Sequence, residues 1–499
     1  MTGNNTNPEG KAINENMAVC FVMLILSVVV CTRCSLNSFY PTQTYMDSSV
    51  YLYIAKVMRS GGVMYRDVFD HKGPLLYLIN YFGTVINQKH GVWLLELASF
   101  FLTSFFSYRI IRWFCTPVLS MIGAVCAVLL LDPFFHGGNN PEEYALPFIT
   151  GSLLVFTEYF AEGKTSRTKL LLCGLCWMAV MLIRPNMIGC WIVFCVAVLI
   201  REIRNKTFQI GYFLVWFLAG AALLLFPIVV YLSFVGALRD FWNQYILFNL
   251  VYTDAEGANR LNMIQYYMCQ PPVVISMCAA AVCACYDKAI REIAVIEFFF
   301  AVMTVCLTSI SGRGYVHYGI TLMPLYVLPV AFLLHAFNDA TKGHILVTIV
   351  SMAAMVGLLI PWLRYIVQLP KLAPENNTIE YAISAFINEN TEPGDVIISC
   401  GNTDVFYLYS DRMAASKYSY QLPIGEANPA IYGEFIEELS GNLPKVVITS
   451  SNTVNGILNL DELNRRMYAF LKENGYYEWL QIAGYGVYGQ IPLTSEQNG

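Results

Sequence analysis

Long apolar runs separated by short polar loops dominate this chain, and their lengths predict helices that cross a lipid bilayer. A helix needs roughly 20 apolar residues to span the hydrocarbon, with a tolerance of about 17 to 25. The pattern predicts about eleven such spans, near residues 17–35, 91–112, 117–136, 143–161, 168–184, 186–200, 209–236, 271–286, 293–311, 317–337 and 344–366. An odd number of crossings puts the termini on opposite faces. Residues 17–30 have no basic cluster before them and no small-residue cleavage site after them, so they read as an uncleaved first span. The apolar stretch 74–88 is too short to cross and opens on Gly73-Pro74, which predicts an interfacial or re-entrant helix.

The pattern changes after about residue 375. Helical periodicity over Ile379–Asn390, Tyr432–Leu439 and Leu460–Asn474 alternates with β-branched runs at Val396–Ile398 and Val446–Ile448, and Glu392-Pro393-Gly394-Asp395 supplies a turn. This alternation predicts a small α/β domain. The fold class expected is therefore a polytopic α-helical membrane protein with a C-terminal α/β domain. Its expected boundaries are 1–370 for the membrane part, including a functional first loop at 36–90, and 371–499 for the tail. No internal repeat or low-complexity segment is visible.

Composition supports the membrane reading: 56% of the 499 residues are hydrophobic and 13% charged, which excludes an ordinary soluble globule. The fifteen cysteines fall mostly inside apolar runs, where a thiol is a small hydrophobe, so no disulfide framework is read. Cys173 and Cys176 spell C-x-x-C inside a predicted span and read as packing. The net charge of −5 comes without a basic stretch, so no nucleic-acid partner is expected.

Charge distribution orients the chain. Arg109 and Arg112, Lys164, Arg167 and Lys169, Arg201, Arg204 and Lys206, Lys288 and Arg291, and Lys342 fall in alternate loops, which the positive-inside rule assigns to the cytoplasm. The N-terminus is then cytoplasmic and the C-terminal domain extracytoplasmic. The outer face receives residues 36–90, 132–142, the Arg184-Pro185-Asn186 corner, 237–270, 311–317 and everything beyond about 368.

Most of the residues suited to chemistry lie on that outer face. The first loop carries Tyr45-Met46-Asp47-Ser48-Ser49 and then Tyr65-Arg66-Asp67-Val68-Phe69-Asp70-His71-Lys72-Gly73-Pro74. Asp47 has a plain role as a helix N-cap, yet its place near the membrane mouth also suits a general base acting on a lipid-borne substrate. Asp67, Asp70, His71 and Lys72 read either as an ion-paired turn or as a substrate-binding set. His136 and Glu142-Glu143-Tyr144 occupy the next outer turn, where the two glutamates meet a helix N-terminus. Arg184 and the run Gly312-Arg313-Gly314-Tyr315-Val316-His317-Tyr318 place cations on the face that disfavours them. An anion held there, such as a lipid-linked phosphate, accounts for them; the alternative is an arginine reaching interfacial lipid. No metal-ligand spacing is recognised, so neither metal nor cofactor is expected.

At these residues the chain resembles the bacterial membrane glycosyltransferases of the GT-C fold, related to protein mannosyltransferases and to the aminoarabinose transferase of lipid A. The match rests on Asp47, on Tyr65 to Pro74, on Asn140 to Tyr144, on Arg184 to Asn186 and on Gly312 to Tyr318. The resemblance implies an inverting hexosyl- or pentosyltransferase that moves a sugar from a polyprenyl-phosphate donor to a lipid, glycan or protein acceptor outside the cell membrane. In that reading Asp47 is the base and Glu142 or Glu143 orients substrate. Asp67, Asp70, His71, Lys72, Arg184, Arg313, Tyr315 and His317 bind substrate. A polysaccharide polymerase or ligase acting on lipid-linked sugars, and a secondary transporter, stand as the alternatives.

Overall fold

Each run expected to cross the bilayer is helical in the structure, a computed structural model that describes residues 8–40, 44, 46–135, 137–207, 209–253, 259–341, 344–372, 378–450 and 460–492. Tyr45, His136 and Lys342 lie outside the described residues. In chain order the helices are α1 (Pro8–Cys31), α2 (Met46–Arg59), α3 (Pro74–Ile86), α4 (Gly91–Ile111), α5 (Pro117–Leu129), α6 (Pro141–Glu162), α7 (Arg167–Met181), α8 (Gly189–Asn205) and α9 (Ile210–Phe234). Pro271–Tyr286, Arg291–Thr308, Pro324–Thr341 and His344–Leu372 follow. Proline opens α3, α5 and α6, where its fixed φ suits the first turn and no N–H is needed.

Among the described residues, four helices are long and apolar enough to cross a membrane: α4, α6, α9 and residues 345–371. The number rises to six if the bent pairs Arg260–Met268 with Pro271–Tyr286 (69°) and Val316–Leu322 with Pro324–Ala340 (46°) each count as one span. α1, α3 and α5 hold shorter apolar helices. This is the pattern of a multi-pass membrane protein.

The chain forms two compact units. The first comprises Met1–Tyr40, Lys89–Val229 and Asn259–Leu372; the second comprises Pro41–Gln88, Val230–Ala258 and Ala373–Gly499. Contact thus groups the first loop and residues 230–258 with the tail, a different partition from a cut near residue 370.

In the first unit, lipid offers backbone and hydroxyl groups no water, so helices satisfy them internally. Thr103, Ser104 and Ser107 of α4 each donate a hydroxyl to the carbonyl four residues earlier, at 2.7–2.8 Å. Arg33 pairs with Asp132 at 2.6 Å and lies 3.8 Å over the Trp362 ring. The Trp362 indole donates to the Leu129 carbonyl at 3.2 Å. Helix α7 meets the part of α9 before residue 230 through bare backbone. A Cβ on Gly174 would stand 1.9 Å from the Phe217 carbonyl oxygen, and one on Gly220 1.9 Å from that of Leu171. Small residues permit this approach and larger ones forbid it.

The second unit is built on a five-stranded sheet: β1 (Val396–Ser399), β2 (Met413–Ala414), β3 (Val446–Ser450), β4 (Tyr477–Ile482) and β5 (Tyr485–Gly489), in the order β2-β1-β3-β5-β4. β1 runs parallel to β2 and β3, with Ile398 opposite Val447; β5 is antiparallel to β3 and β4. β3 is buried along its whole length, as expected of a strand covered on both faces. The sheet carries three strands, β2, β4 and β5, beyond the two β-branched runs read from sequence. Helix α2 docks on it: the Ala414 N–H donates to the Tyr53 hydroxyl at 2.7 Å, and the Lys56 ammonium reaches the Tyr407 and Arg412 carbonyls and the Asp411 carboxylate.

The α7–α9 contact gives a direct expectation. Gly174→Val forces two backbones apart and lowers the stability of the detergent-solubilised protein by about 3 kcal/mol, read as a fall in its thermal unfolding midpoint. Gly211→Ala, around which nothing lies within 4 Å of the added Cβ, leaves that midpoint unchanged or slightly raised.

Candidate functional site

In the second unit the first loop is folded by its own polar residues. Asp47 is half-buried in the first turn of α2, where the N-terminal end of the helix dipole favours a negative charge. Asp67 accepts hydrogen bonds from the Val63 N–H at 2.7 Å and from the Arg66 guanidinium at 2.8–2.9 Å. The Arg66 bond holds this carboxyl below the usual carboxylate range. Asp67 therefore closes the turn that it sits in.

Tyr65 adopts a left-handed backbone, with φ 69°, a costly conformation for a bulky residue that persists only when the surroundings impose it. They do so here. Its ring is buried between Tyr77 and Phe241, and its hydroxyl donates to the Lys72 carbonyl at 2.8 Å. The Gln244 side chain donates to the Tyr65 carbonyl at 2.6 Å and accepts from the Asp70 N–H at 3.3 Å. Residues Trp242–Leu247 wind as a π-helix, a form frequent at functional sites, with Gln244 and Tyr245 buried.

That scaffold serves Asp70, which is 2% exposed. One carboxylate oxygen accepts from the His71 N–H at 2.7 Å and from the Tyr420 hydroxyl at 2.6 Å; the other accepts from the Tyr77 hydroxyl at 2.8 Å. The His71 ring places Nδ1 3.4 Å from Asp70 and Nε2 2.8 Å from the Lys72 ammonium. An ammonium has no acceptor to offer, so Nε2 accepts from it. Phe248 and Tyr252 flank the ring at 5.4 and 4.8 Å, and Asn249 donates to the His71 carbonyl at 2.7 Å. Aspartate, imidazole and ammonium thus form a fixed chain that ends in a positive charge.

Two features near Asp70 are invisible in the sequence. Asp404 is fully buried; one of its oxygens accepts from Ser419 at 2.8 Å, and the other has no hydrogen-bond partner among the described residues. Burial, with the Asp70 charge adding to it, pushes its carboxyl from 3.8 up to about 8. A cavity of about 330 Å³ also opens among Phe69, Gln244, Phe248, Lys417, Tyr418 and Glu434. Lys417 is bridged to Glu434 and Glu438 at 3.6 and 3.2 Å. Arg412 spends its guanidinium on Thr391 and the Ser410 carbonyl, which makes it a structural residue.

The first unit gathers most of the remaining candidates. Glu142 and Glu143, both buried, lie in the first turn of α6 but face different partners. Glu142 pairs with Arg184, whose guanidinium lies 3.9 Å over the Tyr318 ring. His317, 5% exposed, stacks with Tyr315 at 5.8 Å and meets Tyr318 edge-on at 4.9 Å. Gly319 lets this segment press on Phe134, since a Cβ there would be 2.1 Å from that ring. Arg313 is half-buried in the preceding turn, just after Gly312 at φ 64°. Glu142, Arg184, Tyr315, His317 and Tyr318 therefore make one polar-aromatic cluster. Glu143 turns away, its carboxylate receiving the Asn140 amide at 3.0 Å beside Glu96 and Cys34. Sequence reasoning passed over Tyr77, Glu96, Asp404, Tyr420 and Gln244. Only the polar interruption of an apolar run marked Glu96, and nothing local marked Tyr420.

The burial of Asp404 has a measurable sign. Between about pH 4 and pH 8 the folded chain keeps a proton that the unfolded chain releases, so stability falls as pH rises, by about 1.4 kcal/mol per pH unit. Asp404→Asn cannot ionise. Its unfolding midpoint, followed by thermal melts across this window, loses that slope relative to the parent protein; an unchanged slope would mean that Asp404 is ionised when folded.

Comparison with known proteins bears on this arrangement. A family model described as "Putative competence-induced protein Ccs4 N-terminal domain" matches residues 9–346, more than half of the chain. No curated protein sequence matches it. Among solved structures, ArnT from Cupriavidus metallidurans bound to undecaprenyl phosphate aligns over 99% of each chain, with a TM-score of 0.61 and 10% identity. The apo form of the same transferase aligns over 98% of this chain and 99% of its own, with a TM-score of 0.59 and 11% identity. Likeness at such low identity establishes the fold, which is the GT-C membrane fold that the sequence motifs resemble. The chain has that fold, and by its sequence it belongs to the family of the Ccs4 N-terminal domain.

Proposed function

We propose that this protein is a membrane glycosyltransferase that moves a sugar from a polyprenyl-phosphate donor to a lipid, glycan or protein hydroxyl on the outer face of the cell membrane. The observation that carries the reading is the Asp70-His71-Lys72 assembly, in which a buried carboxylate and two tyrosine hydroxyls fix an imidazole against a lysine ammonium. A built cation of this kind suits a phosphate more than it suits a stabilising ion pair. The undecaprenyl phosphate in the ArnT complex supports a lipid-linked donor. About eleven crossings, a cytoplasmic N-terminus and an extracytoplasmic tail belong to the same proposal.

In the reaction, Asp47 takes the proton of the acceptor hydroxyl as its oxygen attacks the anomeric carbon. The bond from that carbon to the phosphate oxygen breaks, and the phosphate leaves with the electron pair. Phosphate is already a good leaving group, so one base suffices and no second carboxylic acid must protonate it. Direct displacement inverts the anomeric centre. Lys72, held through His71 beside Asp70, is assigned to the charge that grows on the phosphate; Arg184, Arg313 and His317, with Tyr315, are a separate set suited to an anion. Glu142 is assigned to holding Arg184. The cavity beside Phe69 and Tyr418 has a size within the range of small-molecule sites and is assigned to a sugar.

Two measurements test this reading. Asp47→Asn is expected to lower turnover of a polyprenyl-phosphate sugar in reconstituted membranes by about 100-fold or more while donor binding persists; normal turnover removes Asp47 from the mechanism. Lys72→Gln is expected to weaken binding of polyprenyl phosphate by about 10- to 100-fold, the worth of a hydrogen bond to a charged group; unchanged affinity rejects the phosphate role.

A further inference from the structure

Three side chains from separate elements of the first unit converge just beyond the end of α1. Cys34 follows that helix, Glu96 lies in the second turn of α4, and Glu143 lies in the first turn of α6. The Cys34 sulfur and one oxygen from each carboxylate all lie within 4.8 Å of one another. The residues are 1%, 0% and 0% exposed.

The surrounding backbone holds them there. Gly138, at φ 73°, lies so close to Cys34 that a Cβ would be 2.7 Å from the cysteine Cβ and 2.9 Å from its sulfur. The Ser35 N–H donates to the Gly137 carbonyl at 2.7 Å, and the Asn139 N–H donates to Glu96 Oε1. The Asn140 amide donates to Glu143 Oε1 at 3.0 Å. One oxygen of each carboxylate is thus oriented by an amide. The other, Oε2 in both residues, is buried and has no hydrogen-bond partner among the described residues unless a proton is shared within the trio. Cys31, three residues earlier in Cys31-Thr32-Arg33-Cys34, is likewise fully buried.

Two carboxylates in contact and out of water need a positive charge between them. A shared proton would bridge the two carboxylate oxygens. A divalent cation engages all three. One thiolate with two carboxylate oxygens is a donor set for zinc and similar transition metals, whereas calcium and magnesium take oxygen alone. The amides on the outer oxygens are the supports that orient metal-bound carboxylates.

We propose that Cys34, Glu96 and Glu143 bind one divalent transition-metal ion of the zinc type. Binding releases the Cys34 proton and any proton held by the carboxyl pair. The site is independent of the transferase reading, and its readout is metal rather than activity.

The test uses the full-length protein in detergent under reducing conditions, stripped with chelator and reloaded with Co²⁺. Equimolar cobalt retained after desalting, with a thiolate-to-cobalt charge-transfer band that Zn²⁺ abolishes, is the expected result. Cys34→Ser removes the band, and Glu96→Gln, which keeps the acceptor for Asn139, lowers cobalt affinity by at least about tenfold. Zn²⁺ raises the thermal midpoint of the parent protein but of neither variant, and parent-like midpoints in the stripped variants show that they fold. Should Cys34→Ser not fold, Glu96→Gln alone decides. Three results overturn the proposal: a parent protein that retains no cobalt or shows no thiolate band, a band unchanged in Cys34→Ser or cobalt affinity unchanged in Glu96→Gln, and a Cys31–Cys34 disulfide in protein purified without reductant, detected by mass after alkylation.

Discussion

A charge taken out of water must be met by a partner, and in a chain this apolar that requirement arranges most of what is polar. Asp70 shows it most fully: three donors, the Tyr77 and Tyr420 hydroxyls and the His71 backbone N–H, surround its carboxylate, one of them 350 residues away in sequence. An unmatched carboxylate in that position would cost several kcal/mol, so the loop and the tail of the second unit are both tied to one oxygen pair, and the π-helical turn holds the Asp70 backbone. The same rule accounts for Glu142 on Arg184 and for Asp132 on Arg33. Asp404 departs from it, and its raised carboxyl is the consequence; Glu297, Glu96 and Glu143 also keep buried carboxylate oxygens without a hydrogen-bond partner among the described residues.

Helix packing in the first unit answers a different constraint. Lipid does not push apolar helices together, so close association depends on small residues that let backbones touch. Gly174 and Gly220 do this between α7 and α9; Gly319 instead makes room for the Phe134 ring, and Gly138 for Cys34.

In the second unit, the contact of the Lys72 ammonium with the His71 ring leaves that ammonium little freedom. Such preorganisation is what electrostatic catalysis requires, because donors already in place need not reorganise as charge develops.

The sequence by itself determined what depends on composition and short-range period. It marked the helical runs, because bilayer thickness fixes their length and apolarity. It placed the β-branched strands β1 and β3, and it marked Asp70, His71 and Lys72, because three ionisable residues in succession beside an apolar hairpin have few uses. It also singled out Cys173-x-x-Cys176 while passing over Cys31-x-x-Cys34, since the two are alike until their neighbours are known. Tertiary structure alone decided that Tyr420 closes on Asp70, that Glu142 and Glu143 face different partners, that Asp67 is consumed by its own turn, and that Glu96 meets Cys34. The physical reason is that hydrophobicity is read from each residue and its near neighbours, whereas the energy of a buried charge is set by whatever group the fold brings within about 3 Å of it.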